Sequence, residues 1–291
     1  MTDIASQIEA AMPELESWIG RKEVIKDDIP LTTVQRAAAM LNVEPSRFEK
    51  GTALPRQWFS LFFASNAMQA DIGPDGHPNK GLFLPPIPLP RRMAAGRRVT
   101  MAGSLVVGQA AERIAEVTGI VHKAARSGHM IILTMRHTFS TGGKVVATEE
   151  FDAFYREGLP PGAKNPLPAR VEPPANAQWS REVHLTTPLV FRYSALTWNA
   201  HRIHYDADYT REEEGYQGLV QNGGLTMQLM LDTAASETGR VLTAFEARLM
   251  RPLWVGDTVR IEGGVVEGTT LHCWAVDKDG AQTADMRIEL A

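Results

Sequence analysis

Two stretches of the chain alternate apolar and polar residues with the period of two that is typical of a β-strand. In residues 104–155, SLVVGQAAERIAEV leads to HMIILTMRHTF, the turn STGGK and VVATEEFDAFY. In residues 252–290, PLWVGDTVRIEGGVV leads to TLHCWAV, the turn DKDGA and QTADMRIEL. Such alternation predicts half-buried strands, and the glycine-containing turns between them predict an antiparallel meander. The two stretches therefore indicate one unit that is distantly repeated.

A helical pattern precedes each meander. Residues 218–239, GLVQNGGLTMQLMLDTAASETG, place leucine, methionine and alanine around nearly the whole helix, so we expect a buried helix that a sheet wraps. In the first half, LTTVQRAAAMLN and QWFSLFFASNAM both have helical periodicity. A long helix wrapped by a curved antiparallel sheet is the hotdog arrangement. The predicted fold class is therefore α+β, a double hotdog with both helices on the concave face of one extended sheet.

A proline-rich stretch separates the two halves. Proline fixes φ and removes a backbone hydrogen-bond donor, so residues 158–180 are expected to form a linker. A chain of 291 residues is long enough for two ordinary domains. We therefore predict an N-terminal hotdog domain over residues 1–157 and a C-terminal hotdog domain over residues 181–291.

Charge and composition exclude several classes of partner. The net charge of −4 arises from 34 acidic and 30 basic residues, and the basic ones are scattered rather than clustered on a phosphate-binding face. No apolar run approaches the roughly 20 residues of a membrane span, and the acidic N-terminal sequence does not resemble a signal peptide. We expect a cytoplasmic protein that binds neither nucleic acid nor membrane. Cys273 is the only cysteine, and we expect it to be a small buried strand residue.

The most informative segment for chemistry is residues 191–225, FRYSALTWNAHRIHYDADYTREEEGYQGLVQNGGL. It resembles the MaoC-like hydratase and dehydratase superfamily, whose motif is an Asp or Asn, four intervening residues and a His. Asn199 and His204 occupy those positions. The words LTWNAHRIHYD and EGYQGLV look more narrowly like the subgroup of type 2 hydroxyacyl-thioester dehydratases and mesaconyl-C4-CoA or itaconyl-CoA hydratases. DIGPDGHPNKGLFLPPIPLPRRMAAG, residues 71–96, looks like the N-terminal domain of the same hydratases.

The resemblance implies a hydro-lyase that reversibly hydrates itaconyl-CoA or mesaconyl-C4-CoA to citramalyl-CoA, without a cofactor beyond the CoA of the substrate. Water adds at the β-carbon, and negative charge develops on the thioester oxygen. His204 is expected to take and return the proton, because a histidine pKa of about 6.5 suits both transfers. Gly223, by its match to the helix-opening glycine of the superfamily, is expected to donate its amide to the oxygen. Asn199 carries an uncharged amide and is expected to orient the water.

Several further residues are candidates for substrate contact. A dicarboxylyl thioester carries a free carboxylate, which the planar fork of an arginine binds best. The unranked candidates for it are Arg91, Arg92, Arg202, Arg248 and Arg251. Tyr205, Asn222 and Gly224 are also expected to contact substrate, and Tyr205 and Asp206 to brace their loop. His77 either belongs to a simple turn or borders the CoA tunnel. The first half lacks the Asn-to-His motif, so we expect it to bind substrate rather than to catalyse.

Alternatives to this interpretation have their own requirements. His201 and His204 are three residues apart with only Asp206 nearby as a further ligand, so we expect no metal. Trp198 is expected to pack rather than to stack on adenine. A 3-hydroxyacyl-thioester dehydratase of fatty-acid synthesis would need an apolar, elongated pocket. A non-catalytic acyl-CoA-binding subunit would not need Asn199 with His204. We also expect a homodimer.

Overall fold

The strands form one antiparallel sheet of ten in the computed structural model, which describes residues 4–125, 128–160 and 162–291. In chain order they are β1 (Lys22–Asp27), β2 (Arg91–Met101), β3 (Ala111–Ala125), β4 (Gly128–Thr141), β5 (Lys144–Arg156), β6 (Trp179–His184), β7 (Leu242–Leu249), β8 (Thr258–Glu267), β9 (Thr270–Val276) and β10 (Gln282–Leu290). Their order across the sheet is β1-β3-β4-β5-β2-β7-β10-β9-β8-β6.

The strand order repeats about the middle of the sheet. In each group of five, the first strand of the group lies at the outer edge, followed by its third, fourth, fifth and second strands. The two groups meet where β2 pairs with β7, with Gly96 opposite Arg248 and Thr100 opposite Ala244. This topology confirms both predicted meanders, β3 to β5 and β8 to β10, and the double hotdog.

Helices cover the inner face of this sheet. The described ranges contain α1 (Ile4–Glu16), α2 (Leu31–Met40), α3 (Thr187–Leu196), α4 (Ala207–Glu212) and α5 (Gly223–Thr238). Val34 and Ala38 of α2 belong to the same hydrophobic core as Met230 and Ala234 of α5. Both helices therefore pack on one side of the sheet. Within the part of the chain that the structure describes, no helix combines the length and apolarity needed to cross a membrane.

The buried helix predicted in the second half is confirmed as α5. Its apolar residues, among them Leu225, Met230 and Leu231, are buried, which reflects their distribution around the helix. It ends at Gly239, whose φ of 63° is the left-handed conformation that closes many helices. Cys273 is buried in β9, as predicted, and this burial raises the pKa of its thiol.

The first half departs from the predicted long helix. LTTVQRAAAMLN forms α2 over only ten residues, because Asn42 turns the backbone to a φ of 57° and Pro45 prevents continuation. QWFSLFFASNAM, also predicted to be helical, forms only a short 3-10 helix at Arg56–Leu61. Its aromatic residues, including Trp58 and Phe59, are buried individually in the core. Tertiary packing therefore overrides the local helical periodicity.

The proline-rich stretch connects β5 to β6 and lies against the second half. The amide of Asn165 donates to the carbonyl of Gly215 at 2.8 Å, and the carbonyl of Val171 accepts from the amide of Gln282 at 2.9 Å. One continuous sheet spans both halves, so the division into domains at residues 158–180 stays a prediction.

Candidate active site

One cavity of about 1640 Å³ is lined by both halves of the chain. His204, Asn199 and Gly223, the three residues predicted to carry catalysis, all line it. Its buried part includes His204 together with Asn222 and Tyr193, each less than 10% exposed. Its rim is exposed and aromatic, with Phe191, Trp198 and Tyr205. A small group can therefore be enclosed while a larger one extends to solvent.

His204 is held in one tautomer by the backbone. It ends the short 3-10 helix Arg202–His204, and its Nδ1 lies 2.7 Å from the carbonyl oxygen of Val220. Because a carbonyl only accepts, Nδ1 carries the proton and Nε2 keeps its lone pair. Burial lowers the pKa of His204 to about 4, helped by the nearby His77 and opposed by the bond to Val220. The imidazole is therefore neutral at neutral pH and can accept a proton.

The N-terminus of α5 enters the same cavity. The first bond of the helix runs from the amide of Thr226 to the carbonyl of Asn222 at 3.1 Å, so the amides before it, including that of Gly223, have no partner within the helix. A Cβ on Gly223 would lie 2.3 Å from Cδ1 of Leu249, and one on Gly224 would lie 2.4 Å from Oη of Tyr193. A side chain at position 223 would therefore displace the end of Leu249, and one at position 224 would meet the rigid ring of Tyr193, next to amides that suit an oxyanion.

The amide side chains of the site are oriented by local bonds. Oδ1 of Asn199 accepts from the amide of His201 at 3.0 Å, which leaves its Nδ2 group to donate. Nδ2 of Asn222 donates to Oγ of Ser194 at 3.2 Å. Oδ1 of Asn222 is buried and accepts no hydrogen bond from the described residues. It is therefore available to a donor on a bound molecule.

A loop from the first half lies against the motif loop of the second half. The carbonyl of Asp75 accepts from the amide of Arg202 at 2.9 Å, and the rings of His77 and His201 are 4.2 Å apart. Oδ2 of Asp75 lies 3.0 Å from Nδ1 of His77. Burial, with the neighbouring His77 and His204, lowers the pKa of His201 to about 2. His77 thus lines the cavity, which favours the second of the two interpretations of this residue.

One group of side chains near this contact has the composition of a metal site. Ligand atoms of Asp75, His77 and His201 lie within 4.8 Å of one another. Sequence spacing pointed instead to His201, His204 and Asp206. The hydrogen bond between Asp75 and His77 explains their approach without an ion, and the absence of a metal stays a prediction.

The predicted arginines separate into distinct environments. Arg202 uses each of its three nitrogens on protein acceptors, namely Asp206 and the carbonyl of Pro74, and its guanidinium lies 4.0 Å from the ring centre of Tyr209. Arg91 and Arg92 are half-buried and line the cavity. Arg251 also lines it and donates through Nη1 to the carbonyl of Pro168.

Two predictions about individual side chains are wrong. Arg248 is exposed on β7 and does not line the cavity, because its neighbours Ala247 and Leu249 take the inward positions of the strand. Trp198 does not pack in the interior, since it is 68% exposed with a φ of 54° at the rim. The loop-bracing role of Tyr205 is confirmed by its bond from Oη to the carbonyl of Ala200 at 3.0 Å.

Asp206 braces the same loop, as predicted. Its Oδ1 accepts from the amide of Tyr209 at 3.1 Å and so caps α4, and its Oδ2 binds Arg202.

Sequence reasoning missed several charged or titratable residues in the cavity wall, four of which form one group. These four lie on the inner face of the first half, and they are Arg97, Arg113, His137 and Glu149. Nδ1 of His137 is 2.6 Å from Oε2 of Glu149, and Nη1 of Arg97 is 3.1 Å from Oε1 of Glu149. Although burial opposes its charge, Arg97 and His137 hold the pKa of Glu149 at about 2. The sequence did contain a signal for them, because in each strand the polar residue occupies an alternating position that is otherwise apolar.

Comparison with known proteins identifies the family. Residues 57–255 match the family of hydroxyacyl-thioester dehydratases type 2. The chain belongs to this family. Within it, the chain is 38% identical over 275 residues to the mesaconyl-C(4)-CoA hydratase of Chloroflexus aurantiacus, covering 94% of this chain and 97% of that protein.

Solved structures place this dehydratase-family chain among double hotdogs. A MaoC-like dehydratase from Phytophthora capsici superposes with a TM-score of 0.71 at 15% identity, over 95% of this chain and 97% of that one. A Mycobacterium tuberculosis protein described as having a double hotdog fold gives 0.60 at 14% identity, over 94% and 96%. At these identities the likeness shows the fold alone, and it agrees with the predicted fold class.

Proposed function

We propose that this protein is a hydro-lyase that reversibly hydrates a branched C5-dicarboxylyl enoyl-CoA, itaconyl-CoA or mesaconyl-C4-CoA, to citramalyl-CoA. The observation that carries the proposal is a neutral, tautomer-fixed His204 in the same cavity as the open amides of α5. The similarity to a mesaconyl-C(4)-CoA hydratase over almost the whole length of both chains supports the substrate class.

The proposed reaction needs one base and one oxyanion site. Nε2 of His204 removes a proton from water as the water oxygen bonds to the β-carbon. The electron pair of the double bond moves toward the thioester, and the amide of Gly223 stabilises the resulting enolate oxygen. His204 then returns its proton to the α-carbon, so that atoms and charge balance. Nδ2 of Asn199 orients the water, and itaconyl-CoA would also need its double bond shifted into conjugation.

A short segment, residues 220–223, connects the carbonyl that binds His204 to the N-terminus of α5. Val220, whose carbonyl holds His204, is three residues before Gly223, and its own amide donates to the carbonyl of Ile203 at 2.9 Å. Base and oxyanion donor are therefore positioned by one hydrogen-bonded unit. Such fixed positioning favours catalysis over simple binding of an acyl-CoA.

A 3-hydroxyacyl-thioester dehydratase of fatty-acid synthesis is the second candidate, and the comparisons support it less than the hydratase. It would need an apolar channel for a long chain. The buried Glu149 and Arg97 in the cavity wall favour a short, charged acyl group instead.

The decisive experiment mixes the purified protein with mesaconyl-C4-CoA and follows the loss of enoyl absorbance. We expect turnover that His204→Ala lowers by about 10²–10⁴-fold. Turnover of crotonyl-CoA without turnover of mesaconyl-C4-CoA or itaconyl-CoA would favour the fatty-acyl reaction. Binding without any turnover would favour an acyl-CoA-binding subunit.

The proposal includes further expectations about the protein in the cell. It acts without a cofactor beyond the CoA of its substrate, as a cytoplasmic homodimer, in itaconate degradation. Substrate contacts are expected from Arg91, Arg92, Arg251, Asn222 and Gly224, which line the cavity. Light scattering after gel filtration tests the dimer, and a monomer peak at micromolar concentration would reject it.

A further inference from the structure

Four adjacent strands of the first half each place one polar residue on the inner face of the sheet. We call Arg97 of β2, Glu149 of β5, His137 of β4 and Arg113 of β3 the charged row. Glu149 is directly opposite His137 in the β4–β5 register and opposite Val99 in the β2–β5 register. Arg97 is opposite Phe151, and Arg113 is opposite Phe139, so each lies two residues from the level of Glu149 and His137. The row therefore crosses the four strands on a diagonal through neighbouring positions.

The equivalent strands of the second half are apolar. Ala247 of β7 is opposite Met286 of β10, and Met286 is opposite Cys273 of β9. All three side chains are buried in the hydrophobic core. A hotdog sheet of this chain therefore folds without an inward-facing charged row, so the row in the first half is not a requirement of the fold.

The row holds more positive than negative charge. Glu149 is 3% exposed and is the buried carboxylate between Arg97 and Arg113. Arg113 forms its ion pair with Glu23 of β1, at 3.8 Å, and the side chain of Glu23 is more exposed than that of Glu149. Nε of Arg97 and Nε of Arg113 are both buried and donate to none of the described residues. Each of these two guanidinium groups therefore keeps an N–H donor for a further acceptor.

Tyr193 connects the row to the helix terminus. Its Oη occupies the space that a Cβ on Gly224 would fill. Burial raises the pKa of Tyr193 to about 12, and the charges of Arg97 and Glu149 also act on this hydroxyl. Arg97 and Tyr193 thus line the same cavity as the amides of the proposed oxyanion site.

We propose that Arg97, held in place by Glu149 and His137 and assisted by Arg113, binds the free carboxylate of the acyl group. The inference rests on the proposed function, because it assigns the specificity of that site for a dicarboxylyl thioester. Arg97 is the binding residue, and Glu149 and His137 are positioning residues that fix its guanidinium plane. The planar fork then distinguishes a carboxylate from a methyl group at the same position.

The test measures binding in a His204→Ala background, where the turnover of either ester is expected to be slow compared with binding. Mesaconyl-C4-CoA carries the free carboxylate and crotonyl-CoA lacks it. Arg97→Met alone would leave the buried Glu149 without its arginine partner and with His137 only, so Arg97→Met/Glu149→Gln removes both charges together. Arg98→Met is the matched control, because Arg98 lies on the same strand but pairs with Glu150 and Asp152 on the outer face.

We expect the double variant to weaken mesaconyl-C4-CoA binding about 10- to 100-fold and crotonyl-CoA binding less than about 3-fold, as for loss of a charged hydrogen bond. Arg98→Met should change neither beyond about 2-fold. Equal weakening of both esters, or no weakening of either, overturns the inference. Turnover of mesaconyl-C4-CoA by the unmodified protein is measured separately, so the proposed function can fail while Arg97-dependent binding holds, and the reverse.

Discussion

The carbonyl oxygen of Ala200 lies 1.8 Å from the position that a Cβ atom on Gly76 would occupy. Gly76 belongs to the loop of the first half that carries Asp75 and His77, and Ala200 directly follows Asn199. Gly76 also has a φ of 92°, which side chains rarely adopt. The two loops can therefore approach this closely only with glycine at position 76.

Gly76→Ala should separate the loops and lower kcat/KM on the order of tenfold or more, because small displacements of reacting groups are costly. The control is Gly81→Ala, whose φ of 89° imposes the same strain but whose Cβ would meet nothing within 4 Å. The strained φ alone should cost each variant roughly 1–2 kcal/mol of stability, and Gly76→Ala should lose more because its Cβ would clash with the backbone of Ala200. Equal kinetic losses in the two variants would mean that strain, and not loop contact, is responsible.

The pH profile should report the buried environment of His204. Its folded pKa of about 4 is below the ordinary value of about 6.5, so the neutral base persists until the pH falls through about 4. The acid limb of kcat/KM should therefore lie near pH 4, with circular dichroism at each pH as the control for folding. The unfolded chain takes up this proton first, so stability should also fall as the pH drops from about 6.5 to about 4. A kinetic limb near pH 6.5 would contradict the assignment.

Asn199→Ala should retain more activity than His204→Ala. His204 is expected to perform both proton transfers, whereas Asn199 contributes one oriented donor and has Oδ1 engaged by His201. Steady-state kinetics on mesaconyl-C4-CoA should show a loss of about 10²–10⁴-fold for His204→Ala. The loss for Asn199→Ala should be closer to tenfold, as for one hydrogen bond. Comparable losses would require the two residues to act as a pair.

Gly224→Ala should impair the helix terminus through Tyr193. In most helix positions alanine stabilises by about 1 kcal/mol over glycine, but here its Cβ would meet Oη of Tyr193 at 2.4 Å. We expect reduced kcat/KM and a lower melting temperature. Tyr193→Phe/Gly224→Ala should restore most of both, since the next atom, Cζ, is 3.4 Å away. Tyr193→Phe alone is the control, and failure of the double variant to recover would refute the steric explanation.

Chelator treatment should leave the activity unchanged. The proposed proton transfers use His204 alone, and Nδ1 of His77 is already bonded to Asp75. Activity should be followed during dialysis against EDTA, with metal content measured in parallel. Loss of activity that Zn²⁺ restores would instead assign a metal to Asp75, His77 and His201.

The sheet could be predicted because period-two alternation runs through much of both meanders, although β9 ends in a continuous buried run. The helix α5 was predictable because its apolar residues surround it. The prediction of a helix around Phe59 was wrong, because aromatic residues that are buried one by one in an irregular segment can have the same spacing as the buried face of a helix. Arg248 was misplaced because its face depends on strand phase, which Ala247 and Leu249 fix only once β7 is known.

The charged row and the contact between His77 and His201 could not be predicted from the sequence for a different reason. Arg97 and His137 are separated along the chain, and only the strand order places them on one wall. His77 and His201 come from opposite halves, and no local spacing encodes their 4.2 Å approach. Motifs within one loop could be predicted, whereas sites assembled by topology could not.

The pairing of β2 with β7 joins two similar halves within one polypeptide. A pair of identical subunits related by a twofold axis must carry the same residue at both equivalent places. When the two halves belong to one polypeptide, equivalent positions can carry different residues. Arg97 can therefore differ from its counterpart, and the first half needs no equivalent of His204. The enclosed space is therefore asymmetric, because His204 lines it from one half and the charged row from the other. Exchanging one half for a copy of the other would restore the symmetry, and the cavity would then lack either His204 or the charged row.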